Sequence, residues 1–273
     1  MAENKKIGAG FDYPSIPEGI SDESLLQQLQ LLMPISIEGK YYVRGDDRAT
    51  LVMMDEVNGF CKPGCGNLAP REVDPAIESV IEVSNSLAKK FFAAGKRIIA
   101  FRDCHKGIER PYLLHCQEGT EETELVEQLQ WLGNGIRQMG DQVFIMPKSC
   151  TNVWIGRETI TDNRGVTQLS NDLLFILSST RTKIVVVVGL CTDICDMQLV
   201  HSLMSAINCG LLPDLEHVVV CVPGCTTYDL PLDVCRQLNL PASSAHPRGP
   251  AHHIGLYQMQ QAGAILAKEV LLY

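Results

Sequence analysis

Several apolar runs in this sequence stop on residues that can do chemistry. Leu51-Val-Met-Met54 stops at Asp55, and Ile98-Ile-Ala-Phe101 stops just short of Asp103-Cys-His105. Phe144-Ile-Met146 is followed two residues on by Lys148, and Ile184-Val-Val-Val-Val188 runs into Gly189-Leu-Cys-Thr-Asp-Ile-Cys195. Taken singly, each reads as a turn former, a cap or a solvated charge. Taken together they suggest two constellations. If Thr192 caps a helix, Cys195 stands at its third position, where unpaired backbone N–H groups and the helix dipole favour a thiolate. Asp55 then supplies a base and Lys148 a positive charge, so the nucleophile is activated from both sides. In the second constellation, Asp103 and His105 share one face of an extended segment and His115 follows. A carboxylate and two imidazoles suit Zn²⁺, with Fe²⁺ or Mn²⁺ as alternatives, and three protein ligands leave a position for water or substrate. Glu109, between the histidines, is either a fourth ligand or a solvated loop acid. Cys104 and Cys116 are read as core.

Residues so far apart in sequence meet only if the elements carrying them end at one edge. The pattern from Thr50 onward alternates strand and helix. Strands are expected over 51–54, 97–101, 142–146, 183–188 and 217–222, and helices over 75–94, 121–132, 171–179, 193–208, near Leu232, and through Gly263 to Leu271. That rhythm predicts an α/β, doubly wound, mainly parallel sheet with helices on both faces, its ligands bound beyond the carboxyl ends of the strands. Residues 1–47 lack the rhythm and read as an N-terminal extension with one short amphipathic helix, Ser21 to Leu32; residues 48–273 read as one domain.

Composition narrows the function class. The chain has 273 residues, 45% apolar and 20% charged, which suits one large soluble core. A formal net charge of -9 without a basic cluster argues against a nucleic-acid partner and for a small-molecule substrate. No apolar run reaches the ~20 residues of a membrane span, and the first residues have no apolar signal region, so a cytoplasmic location is expected, with a nuclear one also open. Eleven cysteines, an odd number in a chain this large, read as reduced thiols rather than a disulfide framework.

The run Val52-Met-Met-Asp-Glu-Val-Asn-Gly-Phe-Cys61, Asp103-x-His105, Pro111-Tyr-Leu-Leu-His-Cys116 with Gly119-Thr120, Lys148 and Gly189 to Cys195 resemble, in order and spacing, the isochorismatase-like cysteine hydrolases. Within them the likeness is to nicotinamidases of the plant type, which share Ala245-His-Pro247 and the paired His252-His253. The resemblance covers residue 48 to the end. It implies nicotinamide hydrolysis to nicotinate and ammonia in NAD salvage, with Asp55, Lys148 and Cys195 as the catalytic triad and Asp103, His105 and His115 as ligands of one divalent metal ion, Zn²⁺ first. It further implies that Phe60 and Tyr112 enclose the pyridine ring, that the Leu190–Cys191 peptide is cis, and that the backbone N–H groups of Cys191 and Cys195 form an oxyanion hole. A homo-oligomer is expected. The alternatives are a cysteine hydrolase of an N-carbamoyl or ureido compound, whose relatives lack the Asp-x-His and His set, and an inactive binding or scaffold protein. Three positions depart from the family pattern. Leu113-Leu114 replaces Pro-Pro before His115, giving up two fixed φ angles. Cys191 replaces a common alanine. Asp196 follows the nucleophile where valine is usual, and its charge would raise the thiol pKa unless it points out along the helix.

Overall fold

The computed structural model describes residues 21–107, 114–134, 142–155, 158–161 and 167–273. In chain order the elements begin with α1 (Asp22–Leu32), β1 (Tyr41–Val43), β2 (Ala49–Met54), the single turn α2 (Asn58–Cys61), α3 (Pro75–Ala93) and β3 (Arg97–Asp103). A short α4 (Trp131–Asn134), β4 (Val143–Lys148), the hairpin strands β5 (Glu158–Thr161) and β6 (Thr167–Ser170), α5 (Asp172–Ser179) and β7 (Ile184–Leu190) follow. The remainder is α6 (Met197–Asn208), β8 (His217–Thr226), α7 (Leu232–Gln237), α8 (Arg248–Gln261), β9 (Ile265–Ala267) and β10 (Val270–Leu272).

Six strands form one sheet in the order β4-β3-β2-β7-β8-β9, every pair parallel. The chain enters at β2, builds outward through β3 and β4, then returns to β7 on the other side of β2 and builds outward again. The β2/β7 boundary is therefore the switch point of a doubly wound sheet, where a crevice opens. Alternation of side chains divides the interior into two layers. Leu51, Met53, Val186 and Val188 point to one face, where α3 lays down Ile77, Val80, Ile81, Leu87 and Phe91. Val52, Met54, Val185 and Val187 point to the other, under Leu173 and Leu177 of α5, Leu199, Val200 and Leu203 of α6, and Leu256 and Met259 of α8. β2 and β7 are buried along their full lengths, which is why they read as unbroken apolar runs.

Two expected helices are absent. Residues 121–132 contain two 3₁₀ turns, Glu121–Thr123 and Glu127–Leu129, and only then α4. The backbone between the turns pairs elsewhere: Asn58 N–H donates to Glu124 O and Val126 N–H to Glu56 O, and Leu125 bridges Val57. Those bonds pin the loop after β2, and they outweigh a helical periodicity. At the other position, Gly263 at φ 108 ends the helical path, and residues 265–272 form β9 and β10. The last helix lies earlier, at Arg248–Gln261. β10 pairs in parallel with β1, and α1, capped by Ser21, lies against α8. Asp74, the cap of α3, is also paired to Arg248 at the start of α8.

Candidate active site

Asp55 is the first residue after β2 and Cys195 lies in the turn after β7, so the two flank the switch point. Gly189 allows these strand ends to approach: a Cβ there would sit 2.2 Å from Met54 O, and the residue holds φ 134. Asp55 adopts φ 55, in the left-handed region that a non-glycine residue seldom occupies. Lys148 ends β4, and β3 delivers Asp103 beside it in register.

All four side chains are buried and meet at one ammonium. Lys148 Nζ lies 2.8 Å from Asp55 Oδ2, 2.8 Å from Asp103 Oδ1 and 3.6 Å from Cys195 Sγ. Burial alone would neutralise the lysine, but Asp55, Cys195 and Asp103 hold its pKa well above the ordinary value. The two carboxylates that share it diverge. For Asp103, burial is outweighed by Lys148 and by bonds from both histidines, so its carboxyl stays well below the usual range. For Asp55, burial wins over Lys148, and the Asp103 charge adds to the rise. Asp55 thus has the greater tendency to accept a proton.

The turn carrying Cys195 differs from expectation. Thr192–Asp196 is one π turn, with Cys191 in the capping position and the Asp196 N–H donating to Cys191 O at 3.2 Å. Thr192 does not cap it, because its hydroxyl is engaged with His252 Nδ1 at 2.9 Å. Burial pushes the Cys195 thiol well above its ordinary value, more than Lys148 pulls it down. The nucleophile therefore needs a base, the part given to Asp55, and it stands in a π turn rather than in the first turn of a helix capped by Thr192. The Leu190–Cys191 peptide is cis, as the resemblance implies.

On the far side of Asp103, His105 Nε2 and His115 Nε2 stand 2.8 Å and 3.0 Å from Oδ2. The three ligand atoms lie within 4.8 Å of one another and all three residues are buried. Two imidazole nitrogens and a carboxylate oxygen converging on one point fit a divalent cation. His105 and Gln117 are bridged in parallel, which brings the segments carrying the two histidines together. Where the family pattern has Pro-Pro, hydrogen bonds flank His115: Asn67 Nδ2 donates to Leu114 O at 2.6 Å, and Cys116 N–H to Glu122 Oε2 at 2.7 Å. The Phe60 ring lies 5.6 Å from that of His115, tilted by 45°. Tyr112, Glu109 and Leu113 fall outside the described residues.

Two acids behave in ways the sequence did not reveal. Asp196 is fully buried and turned inward, not out along the helix, with only the Cys225 thiol against its carboxyl. Glu56, beside Asp55, is buried in the same way, against the Ser84 hydroxyl. Burial raises each to about 8, and for Glu56 the nearby Asp196 adds to the rise. Both therefore favour the protonated form at neutral pH, which lessens the negative charge that Asp196 brings to the turn. His246 and His252, quoted above only as part of a likeness, reach the turn that carries Cys195. Position in a shared motif was the only signal for them.

Known proteins agree with this architecture. A nicotinamidase of Bacillus subtilis superposes with a TM-score of 0.57 at 21% identity, over 81% of this chain and 99% of that one. An N-carbamoylsarcosine amidase of Thermoplasma acidophilum gives 0.52 at 17%, over 81% and 95%, so at such identities only the fold is shared. Sequence carries further: Nicotinamidase 1 of Arabidopsis thaliana is 36% identical over 250 residues, 91% of this chain and 97% of that protein. With residues 49–230 also matching the isochorismatase domain, the chain belongs to the isochorismatase family.

Proposed function

We infer that this protein is a nicotinamidase, an amidohydrolase that converts nicotinamide to nicotinate and ammonia in NAD salvage. The observation that carries the reading is the convergence of Asp55, Asp103 and Cys195 on Lys148, with the histidine pair behind Asp103. Similarity to the plant nicotinamidase along nearly the whole chain supports the choice of amide.

In the reaction, Asp55 takes the proton of the Cys195 thiol, a transfer favoured by its raised pKa, and Lys148 balances the resulting thiolate. The sulfur attacks the carboxamide carbon, and the tetrahedral oxyanion is received by the backbone N–H groups of Cys191 and Cys195. Protonated Asp55 then gives its proton to the departing ammonia, leaving a thioester. The same carboxylate activates the water that hydrolyses it. Phe60 packs against the ring, a part that the resemblance also gives to Tyr112. Asp103, His105 and His115 would hold one divalent ion, which when bound supplies a coordination position for the pyridine nitrogen and so orients the ring. Zn²⁺ is the ion we assign, because imidazole and carboxylate donors suit it; Fe²⁺ and Mn²⁺ take the same set.

We place the enzyme in the cytoplasm as a homo-oligomer acting on a small molecule. Among the described residues no helix is long and apolar enough to cross a membrane. Ammonia release from nicotinamide by the purified protein, with and without chelator, tests the reading. Turnover that chelation diminishes is expected; no release from metal-loaded protein would overturn it.

A further inference from the structure

The segment that donates to the oxyanion is short, and its geometry must be fixed by something outside it. Asp193 lies midway between Cys191 and Cys195. Its Oδ2 is 2.7 Å from His246 Nε2, and the other nitrogen of that ring, Nδ1, is 3.1 Å from the backbone oxygen of Tyr228. A carboxylate oxygen and a backbone carbonyl only accept hydrogen bonds, so both ring nitrogens must donate, and a ring with two N–H groups is an imidazolium. The Tyr228 ring lies parallel to it, 3.9 Å away at 14°, and offers its π face to the cation. A further hydrogen bond and a close backbone approach hold the same turn. His252 Nδ1 meets the Thr192 hydroxyl at 2.9 Å, and at Gly255 a Cβ would lie 2.7 Å from Asp193 Cα and 2.9 Å from Thr192 O. The backbone of α8 is thus pressed against the turn, and the side chains of His246 and His252 grip it.

We propose that His246, as an imidazolium, is a positioning residue for amide hydrolysis, fixing through Asp193 the backbone from Cys191 to Cys195 that receives the oxyanion. This rests on the nicotinamidase reading. The balance of charge around the ring agrees with it. Burial disfavours the cation, but Asp193 and the Tyr228 carbonyl raise the His246 pKa, and Asp193 is correspondingly lowered. Other titratable groups near the clamp do not replace Asp193 as its partner. Arg248 is taken by Asp74 and by Thr227 O, its N–H by Asp229, and His252 is held neutral by burial. When His246 loses its proton, one of its two bonds must be given up, and the turn is released on that side.

The test combines kinetics with a direct observation of the ring. In His246→Ala we expect kcat for nicotinamide to fall roughly ten- to a hundredfold, a part of what losing an oxyanion donor outright costs. KM should stay within about twofold, because the ring contacts lie elsewhere. Rates are normalised to the folded fraction read from circular dichroism and urea unfolding, so misfolded protein does not count. His246→Gln, which keeps one donor, should recover part of kcat and lose any alkaline fall in kcat that His246 causes in the parent. Nitrogen NMR of the unmodified protein at neutral pH should show both His246 nitrogens protonated. A neutral ring, or a His246→Ala variant with parental kcat, would overturn the proposal. A parent that releases no ammonia refutes the functional reading instead, and the NMR result then still decides whether the clamp exists.

Discussion

Replacing Asp196 by Asn removes an ionisation that the fold suppresses, and linkage fixes how stability must respond. The carboxyl is raised by burial from 3.8 to about 8. Between those values the folded protein holds a proton that the unfolded chain has released. Stability from this group is therefore full below about pH 4, falls as pH rises, and levels off above about pH 8. One proton corresponds to a slope of about 1.4 kcal/mol per pH unit, so from pH 5 to pH 7 the parent should lose roughly 3 kcal/mol that Asp196→Asn does not. Glu56, raised the same way, superposes a slope of the same sign in both proteins. Urea unfolding of parent and variant at pH 5, 6, 7 and 8 measures the difference, and metal binding, equally pH-dependent in both, cancels in it. Two parallel curves, with an offset constant to within about 0.5 kcal/mol, would show that Asp196 is ionised in the fold and that its burial has been misread.

Cys195→Ala should abolish nicotinamide hydrolysis, by at least ~10³-fold, with metal content and circular dichroism unchanged; residual turnover near the parent's removes the nucleophile. Asp55→Asn should cost almost as much, since an amide cannot take the thiol proton, and a rate within a few-fold of the parent's would reduce Asp55 to a structural role. His105→Ala should lose the divalent ion, about one per chain by elemental analysis of the parent, because Asp103 and His115 alone leave the site open; retention of a full complement would separate the histidines from the metal. Benzamide, with the same carboxamide but no ring nitrogen, should show kcat/KM lower by orders of magnitude than nicotinamide, and pyrazinamide should remain a substrate. Equal values would mean that the ring is oriented by packing alone.

What could be read from the sequence was whatever physics makes local. The two central strands, β2 and β7, announce themselves because burial on both faces demands unbroken apolar runs, and a parallel sheet necessarily gathers its strands' polar ends. That is why Asp55, Asp103, Lys148 and Cys195 could be named before their meeting was seen. The segment 121–132 misled because helical spacing says nothing of a competing partner, here the loop at 56–58. The form of the turn carrying Cys195 was misjudged for a similar reason. A helix start can be read along a chain, but burial and a π turn cannot. Glu56 illustrates the limit most plainly, since an acid next to a strand-end acid gives no sign that it will be wholly enclosed.

Gly189 sets the separation between the strand end that carries Asp55 and the one that leads to Cys195 by leaving out a methyl group. A Cβ there would collide with the oxygen, nitrogen and carbonyl carbon of Met54, none of which can rotate out of the way. Spacing enforced by excluded volume has a different character from spacing enforced by charge. Ion pairs soften with salt and with the ionisation of either partner, whereas hard-core contact is indifferent to both. The separation of the two strand ends is then a property of the backbone alone. Ionic strength and pH can alter which groups are charged at this site while the spacing of the two strand ends stays the same.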